Sequence, residues 1–176
     1  MTISPSPIEG LFVLNPRIWQ DERGYFFESF NQRKWQELSN LSTEFVQDNE
    51  ARSEYGVLRG MHFQKGASAQ AKLVRVTEGA VFDVVVDLRP GSPTLHHWFG
   101  LELSAENFKQ LFVPRGFAHG YLVLTEHATF SYKCDNYYDP TAEGGLRFDD
   151  PKIGIEWPAL EGNLLIAEKD QNWPLL

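Results

Sequence analysis

Short stretches of β-branched and aromatic residues, broken at close intervals by Gly, Pro, Asn and Asp, constrain this chain more than any other feature. Side chains branched at Cβ suit the pleated surface of a strand, and the breakers cannot continue one. Ile8 to Leu14 reads as a strand ended by Asn15-Pro16. Asp21-Glu22-Arg23-Gly24 is a turn leading into Tyr25-Phe26-Phe27-Glu28-Ser29, and Phe45 to Asn49 and Val57 to Gln64 are extended. Lys72 to Val76 and Val81 to Leu88, joined at Thr77-Glu78-Gly79, read as the clearest hairpin. Trp98 to Leu103, Gln110 to Val113, Gly120 to Leu124 and Ala128 to Cys134 complete the strands. Asn31 to Leu38 is the best helical stretch, with Asn31 placed to cap it. Beyond Tyr138 the chain reads mostly as loop, with turns at Gly144-Gly145 and Trp157-Pro158.

Many short strands, one short helix and frequent turns predict a mainly β fold, a jelly-roll sandwich or barrel. At 176 residues, with no internal repeat, low-complexity tract or linker, residues 1–176 are expected to form one domain. A net charge of -8 argues against broad nucleic-acid binding, which requires a basic face, but leaves room for a small anion held by a few clustered Arg and Lys. Cys134 is the one cysteine, so neither an internal disulfide nor a thiolate metal cluster is expected. No signal-peptide pattern and no apolar run of membrane-spanning length is visible, which makes the cytoplasm the expected location.

Alternate side chains of several strands in a jelly roll face a common interior. Four polar residues are conspicuous against that pattern: His62, Lys72, His119 and Tyr132, each within or beside an otherwise apolar strand. Singly, each reads as a hydrogen-bonded structural residue or a side chain reaching the rim. Together, on separate strands, they suggest a lined cavity, because buried polar groups are costly unless paired. A transition-metal centre is not expected. His62 is followed by Phe63 and Gln64 rather than forming an H-x-H pair, and His96 and His97 are adjacent, so on a strand they face opposite sides. Without a metal, His62 is the natural general base near neutral pH, Lys72 can stabilise an enolate oxygen, and Tyr132 can supply a proton from another direction. That trio suits proton abstraction next to a carbonyl. No nucleophile elbow, P-loop or dinucleotide fingerprint supports serine hydrolysis, phosphoryl transfer or hydride transfer.

The stretch Leu58-Arg59-Gly60-Met61-His62-Phe63-Gln64 closely resembles the signature of the dTDP-4-dehydrorhamnose 3,5-epimerase family. So do Asp21-Glu22-Arg23-Gly24-Tyr25-Phe26-Phe27-Glu28, Phe45-Val46-Gln47-Asp48-Asn49, and Lys72-Leu73-Val74-Arg75-Val76 with Gly79-Ala80-Val81-Phe82-Asp83-Val84. Val113-Pro114-Arg115-Gly116-Phe117-Ala118-His119-Gly120, Tyr132-Lys133-Cys134 with Tyr137-Tyr138, and Glu168-Lys169-Asp170 follow in order across nearly the whole chain. The resemblance implies a cupin-like jelly roll, working as a homodimer on a dTDP-4-keto-6-deoxy sugar without metal or organic cofactor. It implies that His62 removes the protons at C3 and C5, that Asp170 pairs with His62 and orients its ring, that Lys72 stands by the C4 oxygen, and that Tyr132 returns a proton on the opposite face. Arg23, Arg59 and Lys169 would meet the diphosphate, Gln47 and Asn49 the nucleotide, and Tyr138 the thymine ring by stacking. Phe26 and Glu28 would come from the partner subunit, and His119 and Glu143 would line the sugar and nucleotide pocket.

Arg59 and His62 lie three apart, so a regular strand would put them on opposite faces; a bulge at Gly60, or an Arg59 reaching the mouth from outside, is needed. The segment from Lys65 to Ala71 lacks the prolines common before this lysine in the family, though Ala69-Gln70 is kept. The rival expectations are an epimerase of one carbon only, in an antibiotic-sugar pathway, a non-catalytic cupin that binds a sugar nucleotide, and a metal-dependent oxygenase, which the missing H-x-H disfavours.

Overall fold

The computed structural model describes all of residues 1–176. It is a β-sandwich. One sheet runs in the order β1-β2-β10-β7-β12-β5. Its strands are Thr2–Pro5 (β1), Phe12–Asn15 (β2), Gln110–Val113 (β10), Lys72–Glu78 (β7), His127–Cys134 (β12) and Gln47–Glu54 (β5). The other runs β13-β6-β11-β8-β9, built from Glu143–Gly145 (β13), Val57–Gln64 (β6), Phe117–Val123 (β11), Ala80–Asp87 (β8) and Trp98–Ser104 (β9). Leu165–Ile166 (β14) adds a short parallel pairing to β6. A separate hairpin, Trp19–Asp21 (β3) with Gly24–Phe26 (β4), projects from the sandwich with Trp19, Tyr25 and Phe26 exposed.

The two sheets close over an apolar interior that includes Val74, Val85, Leu103, Leu111, Val123 and Phe130. The helix falls where the sequence placed it, at Gln32–Ser39 (α1). The Asn31 side chain accepts from the Lys34 amide at 3.1 Å, and Trp35 is buried against Phe112. A second, four-residue helix, Glu168–Gln171 (α2), lies beside β6.

Two expectations are corrected. Lys72–Val76 and Val81–Leu88 do not form a hairpin: β7 pairs with β10 and β12, while β8 pairs with β11 and β9. The chain crosses from one sheet to the other at Gly79. There φ is +72°, and an added Cβ would lie too close to the His127 carbonyl. Two consecutive strands that both present valines inward are served equally well by opposite sheets, so alternation alone could not decide between the arrangements. Gly144-Gly145 is not a free turn but part of β13, paired with Phe63 and His62 of β6. The Trp173 ring packs directly over Gly145, where no side chain would fit.

Candidate active site

Alternation carries the polar residues inward. Lys72, Val74 and Val76 share one face of β7; Phe130, Tyr132 and Cys134 share one face of β12; Gln47, Asn49 and Ala51 share one face of β5. From the facing sheet, β6 brings His62 and β11 brings His119 and Tyr121, with His62 and His119 directly opposite one another in register. The interior is apolar at one end of the sandwich and opens at the other into a cleft in two parts. The outer part, about 330 Å³, is lined by Gln47, Asn49, His62, Lys72, Tyr132 and Tyr138 among others. The inner part, about 150 Å³, adds Arg59, His119, Tyr121 and Phe130. His62, Lys72 and Tyr132 line both.

The expected bulge is present. On β11 one residue, Gly120, lies between the partners of His62 and Arg59, whereas on β6 two, Gly60 and Met61, lie between them. The extra residue turns Arg59 to the same side as His62, and both line the inner cleft. Gly60 is required there: φ is +136°, and a Cβ would stand 2.6 Å from the Gly120 Cα. The Arg59 Nε donates to the Ser53 hydroxyl at 2.9 Å.

His62 Nε2 lies 2.6 Å from an oxygen of Asp170, carried by α2. Asp170 is buried, and its carboxylate also accepts from the Gly60 amide at 3.2 Å and the Trp173 indole at 3.3 Å. Burial pushes this carboxyl up, but the hydrogen bond and charge of His62, the Gly60 amide and the Trp173 indole together hold it below the ordinary aspartate value. An ionised carboxylate can only accept, so Nε2 carries the proton and Nδ1 is left as the basic nitrogen.

Lys72 has no carboxylate within ion-pair distance. Burial drives its ammonium pKa down, while Cys134, Asp83 and Glu143 pull it up. Tyr132 is half-buried, and burial above all pushes its phenol up to about 12, so it holds its proton at neutral pH. His119 is buried, with Nε2 at 2.9 and 3.0 Å from the two oxygens of Asp83.

At the mouth, Gln47 donates to Asn49 at 3.0 Å and accepts from the Tyr138 amide at 3.1 Å, leaving the exposed Tyr138 ring over the opening. Glu143 accepts from Lys169 at 2.7 Å and from the Tyr138 hydroxyl at 3.5 Å. The loop from Lys65 to Ala71 is tied down by Gln70, which donates to the Asn136 carbonyl at 2.8 Å and itself lines the outer cleft. The structure therefore gathers His62, Lys72, Tyr132, Asp170, Arg59, His119, Gln47, Asn49, Tyr138, Glu143 and Lys169 at one cleft and its rim. It does not bring Arg23, Phe26 or Glu28 there. Arg23 pairs with Asp21 at 2.5 Å on the projecting hairpin, Phe26 is exposed, and Glu28 pairs with Lys34 at 2.7 Å.

Sequence reasoning passed over Asp83, Trp173, Gln64 and Gln70 as site residues. A signal existed for one of them: Asp83 is a carboxylate inside the otherwise apolar run of β8. Nowhere do three His, Cys, Asp or Glu side chains converge as a bound metal ion would need. No helix is long and apolar enough to cross a membrane.

A family model described as dTDP-4-dehydrorhamnose 3,5-epimerase matches residues 5–176. The dTDP-4-dehydrorhamnose 3,5-epimerase of Salmonella typhimurium is 50% identical over 176 residues, covering 100% of this chain and 96% of that one. Among solved structures, the enzyme of that name from Elizabethkingia anophelis superposes with a TM-score of 0.95 at 51% identity, covering 99% of this chain and 96% of the other. A Legionella pneumophila dTDP-6-deoxy-D-glucose-3,5-epimerase, crystallised with dTDP-4-keto-L-rhamnose, superposes with a TM-score of 0.95 at 45% identity, covering 99% and 92%.

Proposed function

The chain belongs to the dTDP-4-dehydrorhamnose 3,5-epimerase family, and from that premise we propose how its cleft inverts C3 and C5 of dTDP-4-keto-6-deoxyglucose on the way to dTDP-L-rhamnose. The observation that carries the reading is the His62–Asp170 pair at 2.6 Å, opening onto the same cleft as Lys72 and Tyr132. C3 and C5 both flank the C4 ketone, so a carbanion at either delocalises onto that oxygen as an enolate. Nδ1 of His62 takes the proton from carbon. The imidazolium that results is stabilised through Nε2–H by the Asp170 carboxylate. Lys72, a buried ammonium without a carboxylate partner, is suited to the charge that develops on the C4 oxygen. Tyr132 approaches from the sheet that faces His62 and keeps its phenol protonated, so it returns a proton to the opposite face of the carbon, which inverts the centre.

Around the reacting sugar, Arg59 and Lys169 hold the diphosphate by charge-assisted hydrogen bonds. Gln47 and Asn49 contact the nucleotide, Tyr138 stacks on thymine, and His119 and Glu143 line the pocket. A homodimer completes it. The β5 strand is a sheet edge with unpaired backbone groups, and the β3–β4 hairpin presents Trp19, Tyr25 and Phe26 to solvent. These are complementary features of two copies, and they deliver Arg23, Phe26 and Glu28 to the partner's cleft. A lone, unpaired and buried Cys134 fits a reducing compartment, the cytoplasm. The match over residues 5–176 supports reading the chain as one catalytic domain.

The test is to incubate the purified chain with dTDP-4-keto-6-deoxyglucose, reduce the product at C4, and determine its configuration. The L-rhamno product supports inversion at both carbons, and a product inverted at one carbon only refutes it. Light scattering should show a dimer. Mixing Phe26→Ala with His62→Ala subunits should restore activity in mixed dimers, whereas no restoration would refute the exchange of residues between subunits.

A further inference from the structure

Three donors converge on the two oxygens of Asp170. The Gly60 amide donates to one oxygen at 3.2 Å. The His62 ring and the Trp173 indole both donate to the other, at 2.6 and 3.3 Å. Gly60 and His62 belong to β6, but the indole comes from the segment behind α2, and the proton transfer proposed for the cleft makes no use of it. With four residues and no side-chain cap at its start, α2 is too short to hold Asp170 by its own hydrogen bonds. The segment behind it is fastened on both sides of the tryptophan. Before it, the Asn172 side chain donates to the Glu168 carbonyl at 2.8 Å. After it, the Arg147 amide donates to the Pro174 carbonyl at 3.3 Å, and the Leu176 amide donates to the buried Asp150 at 2.6 Å. Between these ties the ring rests on Gly145, the residue paired with His62 in register, where a Cβ would stand 2.3 Å from it. The indole lies at 70° to the imidazole, with ring centres 6.4 Å apart.

We infer that Trp173 is a positioning residue for the epimerisation: its indole N–H fixes the Asp170 carboxylate toward Nε2 of His62, and the ties to Arg147 and Asp150 hold the indole in place. Trp173 lines neither part of the cleft, so its effect passes through Asp170. The inference rests on the reading of His62 as the base and Asp170 as the carboxylate that orients it.

The sign of the effect follows from how the carboxylate charge is shared. Without the indole, His62 is the only donor to that oxygen, the imidazolium is favoured, and His62 keeps its proton to higher pH. The other ionisable groups around the pair stay as they are. Lys72 on β7, His119 on β11, Tyr132 on β12 and Arg59 on β6 line the inner cleft with His62, and Lys169, next to Asp170 in α2, is paired with Glu143 on β13 at 2.7 Å. Trp173→Phe keeps a ring over Gly145 and loses the N–H. In it the acidic limb of the kcat profile should move up by about half a pH unit. On the plateau kcat should fall roughly three- to tenfold while KM changes little. A fall in kcat at every pH with the limb unmoved would report packing alone, and that result overturns the inference. His62→Ala separates the two layers. If it retains full activity, the reading of the base fails. If it is inactive while Trp173→Phe keeps the original pH profile, only the role of Trp173 fails. Should Trp173→Phe not fold, proton NMR of the unaltered protein decides: the Trp173 indole proton should shift with pH at the same midpoint as the His62 ring, and an indole proton indifferent to that titration overturns the assignment.

Discussion

Replacing Asp170 with asparagine keeps the shape of the side chain and removes its charge, so it isolates what the carboxylate does for His62. Asp170 is buried and accepts from three donors, of which the His62 ring is nearest at 2.6 Å. Asparagine keeps one acceptor oxygen, which the Gly60 amide or the Trp173 indole can still use. The charge-assisted bond to the imidazolium is lost. A hydrogen bond to an ionised partner contributes about 1.5–3 kcal/mol, which at 1.36 kcal/mol per decade corresponds to roughly 10- to 150-fold in kcat. The loss is larger if the asparagine amide turns its NH2 toward the ring, because Nε2 must then give up its proton and Nδ1 is no longer the base. KM should change little, since the effect develops with the imidazolium in the transition state. The assay is the initial rate of deuterium incorporation from D2O into dTDP-4-keto-6-deoxyglucose, with kcat and KM measured separately and the melting temperature recorded alongside. A folded Asp170→Asn protein whose kcat lies within twofold of the parent would refute the dyad reasoning.

Tyr132→Phe removes the phenolic proton and keeps the ring. Deuterium exchange at one carbon should survive better than completed inversion, and NMR showing unchanged inversion at both carbons would contradict the assigned role. Gly60→Ala places a Cβ 2.6 Å from the Gly120 Cα at a φ of +136°. It should cost at least about 2 kcal/mol, read as a lowered melting temperature, and should reduce activity through Arg59 and His62 together. Asp87 is fully buried and is held by Arg89 at 2.7 Å, Ser92 at 2.6 Å and Thr94 at 2.8 Å. Burial raises its carboxyl, and these bonds outweigh burial and hold it far below the ordinary value. Its contribution to stability is therefore complete above about pH 4 and is lost as the pH falls below that, because the unfolded chain takes up the proton first. In Asp87→Asn, melting temperature plotted against pH should fall less steeply below pH 4 than in the parent; parallel curves would contradict this.

Much of this architecture is legible in the residues. Val57–Gln64 is a strand with the bounds its composition suggests, and Asn31 caps the helix that follows it. The three-residue spacing of Arg59 and His62 called for either a bulge at Gly60 or an arginine reaching the mouth from outside, and the structure supplies the bulge. What escaped the sequence depends on tertiary partners. Gly79 looks like the tip of a hairpin, because a hairpin turn and a crossover between facing sheets call for the same positive φ. Gly144-Gly145 looks like a turn until Phe63 and Trp173 are seen to fill the space where side chains would stand. Asp83 becomes conspicuous once His119, distant in sequence, is brought against both of its oxygens. Arg23 and Phe26 are recognisable motif residues, yet in a single copy of the chain they do not line the cleft they are proposed to serve.

The central claim is that one base, His62, serves both carbons of the keto-sugar. Proton NMR of dTDP-4-keto-6-deoxyglucose in deuterated water tests it most directly, run in parallel with the unaltered chain and with His62→Ala. The account predicts deuterium at both C3 and C5 with the former and at neither with the latter. Exchange that persists at either carbon in His62→Ala would show that a second base works in the cleft and would contradict the account.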